Sequence, residues 1–324
     1  MNKIRVGVLR GGASSEYEVS LKSGEAVLKN MPDKYEGVDV FIDKNGNWHI
    51  HGILHKKNDA IKKFDVALNV LHGEYGENGQ VQDFLDQFGV NYTGAKSFSS
   101  RLSMNKALTK SFVEKVGVKT PRSTLLSRDD YRPDVAIKIF KEFPLPAVIK
   151  PLALGSSVGV SIAKDFFSLE EALKMAFESS DQIMIEEFIQ GKEATCGVVE
   201  GFRGEDYYVL PPIEIVPKST AGFFDYKAKY QGQSEEICPG RFSEAENAEL
   251  RRLSALVHKT IGLRHYSRSD FIIHPKRGIY FLEINNAAGV GLTEASLLPK
   301  ALRASDSTLS EFLDHIIGLS RGGK

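Results

Sequence analysis

The stretch that decides the fold is Lys150-Pro151-Leu152-Ala153-Leu154-Gly155-Ser156-Ser157-Val158-Gly159-Val160. Apolar runs on either side of it, Leu145–Ile149 and Val158–Ile162, predict two strands joined by a loop of small residues. Such a loop can turn its backbone N–H groups toward a polyphosphate, with the Lys150 ammonium at its foot. An ordinary hairpin turn with solvated serines fits the same residues. The order G-x-x-x-x-G-K-[ST] is absent, so this is not a Walker A loop.

Length and composition narrow the function classes. The 324 residues are enough for two or three domains, and 42% hydrophobic with 26% charged residues is typical of a soluble globular protein. Basic and acidic residues number 42 each, which argues against a general nucleic-acid or membrane-surface binder. Cys196 and Cys238 are too few for a disulfide framework, Met1–Arg5 lacks the apolar core of a signal peptide, and no run is as long as a membrane span. We therefore expect a cytoplasmic protein with reduced thiols.

Two glycine-rich segments follow predicted strands near the N-terminus. Ile4–Leu9 runs into Arg10–Glu16, and a helix is expected to begin there because Ser15 and Glu18 have capping-box spacing. Asp65–Leu71 is continuously apolar, as buried strands are, and runs into His72–Gly79. Functional groups in open α/β sheets gather beyond the carboxyl ends of strands, so both segments are candidates for a ligand site.

The rest of the chain predicts three α/β domains, at residues 1–98, 99–187 and 188–324, with a ligand between the last two. Ser99–Val116 is expected to form one helix and Tyr207–Val216 one strand. The polar and aromatic segment Lys218–Pro239 exceeds about 12–15 residues, which is long enough for a lid or an Ω-loop.

A second candidate site lies on two strands near the C-terminus. Side chains alternate along a strand, so Arg268, Asp270 and Ile272 share one face of the first strand. The same rule places Glu283 and Asn285 on the face that carries Ile279 and Phe281. If the two polar faces coincide, they present the oxygen donors that Mg²⁺ prefers. A solvated ion pair between Arg268 and a carboxylate is the alternative.

Taken together, these segments resemble the D-alanine–D-alanine ligases of the ATP-grasp family. The matching pieces occur in the family's order over nearly the whole chain, which makes the combination specific although each piece alone is weak. They are Gly11-Gly12-x-Ser14-x-Glu16-x-Glu18, His72-Gly73-x-x-Gly76-Glu77-x-Gly79, Tyr92-Thr93-Gly94, Met104-x-Lys106, Lys150-Pro151 with Gly155–Gly159, Glu186-Glu187-Phe188, Phe223-x-Asp225-Tyr226-x-Ala228-Lys229-Tyr230, Cys238-Pro239, Arg268-x-Asp270, Glu283-x-Asn285, and Gly291-x-Thr293 with Ser296-Leu297.

The resemblance implies an ATP-grasp fold and an ATP-dependent ligation of two D-alanines through an acyl phosphate, for peptidoglycan synthesis. ATP, two Mg²⁺ ions with Mn²⁺ as a substitute, and a homodimer joined through the N-terminal domain are the expected cofactors and assembly. The metal ligands would be Asp270, Glu283 and Asn285. The nucleotide would be bound by Lys106, Lys150, Lys229, Ser157 in the phosphate-covering loop, the hinge Glu186, Glu187, Phe188 and Ile189, and Glu193 at the ribose.

The resemblance also assigns the two amino-acid sites. Glu16 would bind the ammonium of the first D-alanine and form a hydrogen-bonded triad with Ser156 and Tyr230 that closes the lid. Arg268 and the Gly291 amide would stabilise the oxyanion, and Ser296 with the Leu297 amide would bind the second carboxylate. His72 matches a substrate-region histidine, whereas a lone histidine is more often structural. Without the family, Glu193 is equally well explained as a surface charge.

Departures from the family pattern bear on the second substrate. Asn78 and Asn105 replace residues that are usually acidic. After Asn285 the family's Thr-x-Pro is replaced by Asn286–Val290, a connection two residues longer, which leaves Gly289 as an alternative to Gly291. A D-alanine–D-lactate or D-serine ligase, a ligase of other carboxylates and amines, and a non-catalytic nucleotide-binding regulator therefore stay as alternatives. A Rossmann oxidoreductase is poorly supported, because Gly11-Gly12 lacks the G-x-G-x-x-G spacing.

Overall fold

A computed structural model of the chain describes residues 3–132, 134–152, 159–217 and 234–322. Ser156, Ser157, Lys229 and Tyr230 lie outside the described residues, as does most of the predicted lid. In the part of the chain that is described, no helix is both long and apolar enough to cross a membrane.

Three β-sheets organise the described residues. Their strands are β1 Ile4–Gly11, β2 Tyr35–Ile42, β3 Trp48–Ile50, β4 Ile53–His55, β5 Val66–Asn69, β6 Asn91–Tyr92, β7 Ser123–Ser127, β8 Ala147–Pro151, β9 Ser161–Ala163, β10 Gln182–Glu187, β11 Lys192–Glu200, β12 Tyr207–Val209, β13 Ile213–Pro217, β14 Ser234–Ile237, β15 Tyr266–His274 and β16 Gly278–Asn286. The sheet orders are β4-β3-β2-β1-β5-β6, β7-β10-β8-β9 and β14-β13-β11-β15-β16, with β12 paired to β11.

Helices cover these sheets. They are α1 Tyr17–Lys29, α2 Lys57–Ala60, α3 Gln80–Gln87, α4 Ser97–Met104, α5 Lys106–Glu114, α6 Val135–Glu142, α7 Phe166–Ser179, α8 Glu244–Ile261, α9 Leu297–Arg303 and α10 Leu309–Arg321. In the first sheet β1 pairs in parallel with β2 and β5, as expected for the opening of an α/β unit. The strands β8 and β9 pair antiparallel, which confirms the two strands predicted on either side of the small-residue loop.

The hydrophobic cores show which elements pack together. One cluster joins the first sheet to the start and end of the C-terminal part, through residues such as Val8, Val199 and Phe312. A second cluster unites α8 and the third sheet with α4 and α5, including Leu102 and Val113. The central sheet has a cluster of its own with α6 and α7. Helix α5 therefore packs on the third sheet, although its residues precede the central strands in the chain.

Three sequence-based expectations about these elements are wrong. Helix α1 begins at Tyr17 without a side-chain cap, so the predicted Ser15–Glu18 capping box does not form. The Ser14 hydroxyl instead accepts from the Glu16 N–H. The predicted helix Ser99–Val116 is broken at Asn105, whose side chain caps α5 by accepting from the Leu108 N–H. The predicted strand Tyr207–Val216 is interrupted at residues 211–212, two prolines that lack the N–H a ladder needs.

Candidate active site

The oxygen donors of the third sheet are brought together by the pairing of β15 with β16, next to a β-bulge. Asp270 pairs with Glu283 and Arg268 with Asn285, but the register shifts between Asp270 and Phe271, which pairs with Phe281. Partners opposite each other in an antiparallel pair share a face. Glu283 therefore lies on the face of Asp270, opposite to that of Phe281, so the predicted grouping of Glu283 with Phe281 is wrong.

Asp270 is the centre of this polar face. Both of its oxygens accept from the Arg268 guanidinium at 3.3 Å, and the Asn285 amide donates to Oδ2 at 3.3 Å. The Thr195 hydroxyl on β11 also donates to Oδ1. Two carboxylates and one amide on a single partly buried face form an oxygen donor set that fits a hard cation such as Mg²⁺.

Helix α5 connects this face with the central sheet. Lys106 at its first position places Nζ 3.5 Å from Glu283 Oε2. One turn later, Lys110 lies on the same side of the helix, since residues four apart are neighbours on a helix surface. The Lys110 ammonium bonds Glu186 Oε1, and Lys150 Nζ lies 2.6 Å from Glu186 Oε2. The candidate metal ligands and the candidate nucleotide lysines thus form one continuous line of charges.

The Lys110–Glu186–Lys150 group is buried, with side-chain exposures of 3%, 4% and 9%. Burial would raise the pKa of Glu186, but the Lys150 and Lys110 ammoniums outweigh it and leave that pKa below its usual value. Burial lowers the pKa of Lys110, opposed by the Glu186 carboxylate. Two ammoniums around one carboxylate leave an excess of positive charge.

A second cluster lies where β1 and β5 end. Ligand atoms of Glu16, His72 and Glu77 all lie within 4.8 Å of one another, and His72 Nδ1 is 3.9 Å from Glu16 Oε2. Ser23 Oγ bonds the other ring nitrogen of His72 at 3.0 Å, and the Gly73 N–H donates to Glu77 Oε1. The two glycine-rich segments predicted to share a site do meet here.

Burial sets the protonation of this cluster. It raises the pKa of Glu77 to about 8, with the Glu16 charge adding to the effect. It lowers the pKa of His72 to about 4, assisted by the Arg268 charge. At neutral pH Glu77 therefore holds a proton and His72 is neutral, which leaves Glu16 to offer a carboxylate to an ammonium group.

The connection after Asn285 lies against this cluster. The Asn286 amide donates to Glu77 O and to Ser103 Oγ, both at 3.0 Å. Residues 287–289 form a 3₁₀ turn in which a Cβ on Gly289 would lie 2.3 Å from Glu77 Oε2. Residues 286–289 therefore lie against Glu77 in the Glu16–His72–Glu77 cluster.

Further along, Ser296 is the residue before α9. Its hydroxyl bonds Thr293 Oγ1 at 2.7 Å, and a Cβ on Gly291 would lie 2.7 Å from Ser296 Oγ. Gly291, Ser296 and the start of α9 at Leu297 are therefore neighbours. Free N–H groups at a helix start suit an anionic group such as a carboxylate.

The candidate hinge residues lie at the end of β10 and just after it, and the candidate ribose residue Glu193 lies in β11. Glu187 Oε1 accepts from Arg277 at 2.6 Å, which joins the central sheet to the turn between β15 and β16. The Phe188 N–H donates to Pro146 O at 3.1 Å, and Ile189 is buried. Glu193 is 8% exposed, so it is not the surface charge that was its alternative.

Sequence reasoning missed several residues of these groups. Glu77 was part of a motif but received no role, and Ser23, Lys110 and Thr195 were not singled out. The spacing of Lys106 and Lys110 by four within a helix was the available signal for Lys110. For Ser23 and Thr195 the sequence offered none, because their contacts join distant segments.

Solved structures with the same architecture define the class. The crystal structure of the VanG D-Ala:D-Ser ligase of Enterococcus faecalis matches with a TM-score of 0.86 and 28% identity, covering 98% of this chain and 100% of that one. The D-alanine–D-alanine ligase of Bacillus anthracis matches with a TM-score of 0.80 and 32% identity, covering 98% and 97%. With the charged groups between the central and third sheets, this makes the chain an ATP-grasp enzyme.

Sequence comparison defines the family. Two family models, D-ala D-ala ligase N-terminus and D-ala D-ala ligase C-terminus, match residues 5–60 with 49–95 and residues 112–318, respectively. The D-alanine–D-alanine ligase of Syntrophobacter fumaroxidans is 37% identical, covering 98% of each chain, and that of Clostridium beijerinckii is 36% identical, covering 97% of each. The chain belongs to the family of D-alanine–D-alanine ligases.

Proposed function

We propose that this enzyme joins two D-alanines with consumption of ATP, giving D-alanyl-D-alanine, ADP and phosphate. The observation that carries the proposal is the placement of helix α5. Its Lys106 faces the oxygen donors of the third sheet and its Lys110 faces the Glu186–Lys150 pair of the central sheet. A triphosphate lying along α5 would meet cations from both sides.

In the first step an oxygen of the D-alanine carboxylate attacks the γ-phosphorus of ATP, and ADP leaves. Two anions must approach each other, so positive charge has to offset their repulsion. Lys106 and Lys150 supply it, and Mg²⁺ held by Asp270, Glu283 and Asn285 would add Lewis-acid stabilisation of the phosphate oxygens when bound. Adenine would lie at Glu186–Ile189, with the ribose hydroxyls at Glu193. Lys229 and Ser157 keep their proposed nucleotide roles but lie outside the described residues.

In the second step the unprotonated amine of the other D-alanine attacks the acyl phosphate carbon, phosphate leaves with the C–O bond electrons, and the nitrogen releases a proton to give the amide. The negative charge that develops on the carbonyl oxygen would be stabilised by Arg268 and the Gly291 amide. Glu16 would hold the first ammonium beside neutral His72. Ser296 and the Leu297 amide would hold the second carboxylate. Closure of the lid by Ser156 and Tyr230 with Glu16 also stays a proposal.

A D-serine acceptor is the second candidate, and one observation favours it. The connection Asn286–Val290 is two residues longer than the family pattern, and its Asn286 amide donates to Glu77 O. One of the similar structures is itself a D-Ala:D-Ser ligase. An acceptor panel of D-alanine, D-serine and D-lactate, each with D-alanine and MgATP and with the products separated by mass spectrometry, decides between them. Peptide formation with D-alanine as the preferred acceptor is expected, and a preference for D-serine would replace the proposal.

Three further properties are part of the proposal. The domain boundaries at residues 98 and 187, a homodimer through the N-terminal domain, and a cytoplasmic site of peptidoglycan precursor synthesis follow from the family resemblance. Sedimentation velocity checks the dimer: a monomer at assay concentration would contradict it.

A further inference from the structure

Lys110 makes contacts unlike those of an ordinary structural lysine. Its ammonium is buried and donates to Pro121 O at 3.0 Å as well as to Glu186 Oε1. The other oxygen of Glu186, Oε2, accepts from Lys150 Nζ at 2.6 Å. The single carboxylate is thus shared between two ammoniums that come from separate elements, α5 and β8.

The charge balance of this group points to an anion. A Glu186–Lys150 pair alone would be neutral, and Lys150 would have little charge left to offer a ligand. With Lys110 present the buried group carries one excess positive charge, which is unfavourable in a desolvated place until an anion compensates it. Lys110 therefore competes with Lys150 for Glu186.

Lys110 also connects the third sheet, on which its helix packs, to the central sheet. Helix α5 is fixed to the third sheet by Val113 in the second core cluster, whereas Glu186 and Lys150 belong to the central sheet. The bond from Lys110 to Glu186 crosses between these two cores. A change at Lys110 should therefore affect a ligand that spans them.

We propose that Lys110 is a positioning residue for the nucleotide's phosphates. Because Lys110 pairs with one oxygen of Glu186, that carboxylate does not fully neutralise Lys150, and the positive charge of Lys150 stays available to bind the polyphosphate. This inference rests on the proposed function for the location of the nucleotide. It predicts an effect on phosphate binding that is separate from any effect on adenine binding or on folding.

Binding of MgADP and of adenosine to the full chain tests it, by isothermal titration and by displacement of a fluorescent ADP. In Lys110→Met the affinity for MgADP should fall by about tenfold, since one ammonium near the phosphates is lost. The affinity for adenosine should stay within about threefold, because adenosine has no phosphate and Glu186 keeps its bond to Lys150. In steady-state assays of Lys110→Met the KM for ATP should rise, as the MgADP affinity falls, while the KM for D-alanine stays unchanged.

Thr109→Val is the matched control. Thr109 is the buried neighbour on α5 and donates to Leu102 O at 2.7 Å, so its loss destabilises the same helix without touching Glu186. Its ratio of MgADP to adenosine affinity should equal that of the wild type. Lys110→Arg keeps the charge and should keep the ratio within about threefold, which provides a test even if the methionine variant does not fold.

Three results would overturn the inference: equal losses for MgADP and adenosine in Lys110→Met, no loss for MgADP in that folded variant, or a selective MgADP loss of tenfold in Lys110→Arg. Failure of the proposed function has a different signature. It would leave wild-type binding of MgADP intact and abolish dipeptide formation from D-alanine.

Discussion

Replacing Glu77 by glutamine should change how stability depends on pH. The Glu77 side chain is buried beside Glu16, and its pKa is raised to about 8 from 4.5. Between these two values the native state binds a proton that the unfolded chain has lost. The contribution of this group to stability therefore falls as pH rises through that range.

The magnitude follows from the linkage slope of about 1.4 kcal/mol per pH unit for one proton. Glutamine is neutral at every pH and accepts the same Gly73 N–H, so it abolishes this slope. From about pH 5 to about pH 7.5, the free energy of unfolding of Glu77→Gln should gain about 3 kcal/mol relative to the wild type.

His72 has the opposite sign and does not mask the effect. Its pKa is lowered to about 4 from 6.5, so its contribution to stability rises with pH between these values. In the wild type the two groups nearly cancel below about pH 6.5, and only the Glu77 slope acts above it. Because His72 is present in both proteins, its contribution cancels in their difference.

Urea unfolding followed by circular dichroism, at several pH values between about 5 and 7.5, measures this difference. Glu74→Gln removes an exposed carboxylate from the same loop and controls for loss of surface charge. A difference between Glu77→Gln and the wild type that stays constant to within about 0.5 kcal/mol over the range would refute the raised pKa.

Three further substitutions test the other parts of the site. Glu283→Gln should lower kcat by about two orders of magnitude or more with an unchanged melting temperature, because it removes a proposed metal ligand; wild-type kcat would contradict that assignment. Asn105→Ala should lower the free energy of unfolding by about 1 kcal/mol in urea titrations, because α5 loses its cap; unchanged stability would show that the cap is dispensable. Gly289→Ala should raise the KM for D-alanine but not that for ATP, because the new Cβ would lie 2.3 Å from Glu77 Oε2 and displace that side chain. An unchanged D-alanine KM in steady-state assays would show that the 3₁₀ turn moves to accommodate the Cβ without affecting the substrate site.

Apolar patterning predicted most of the strands, because a buried strand has to be continuous or alternating in its apolar residues. It failed where a local hydrogen bond or a missing donor decided the outcome. Asn105 looks like an ordinary helix residue until its side chain caps α5, and the bulge beside Asp270 leaves no mark in the residue pattern. That bulge reverses the face of Glu283, and so the strand-alternation argument from sequence grouped Glu283 with the wrong neighbours.

In the candidate site, too, some residues were predicted from the sequence and others were found only in the structure. The family resemblance named Lys106, Lys150 and Glu283, which are brought into one charged line. It did not assign Lys110 or Glu77, because their importance comes from burial and from partners far away in the chain. Burial of a charged group depends on how domains pack, which no short motif encodes.

Transfer of oxygen from D-alanine to phosphate tests the central claim most directly. If ATP activates the carboxylate of the first D-alanine, D-alanine labelled with ¹⁸O in its carboxylate should pass one labelled oxygen to each phosphate released. ³¹P NMR detects that label, and mass spectrometry detects one dipeptide for each phosphate. Release of unlabelled phosphate alongside dipeptide would contradict an acyl phosphate, and release without dipeptide would contradict the ligase activity.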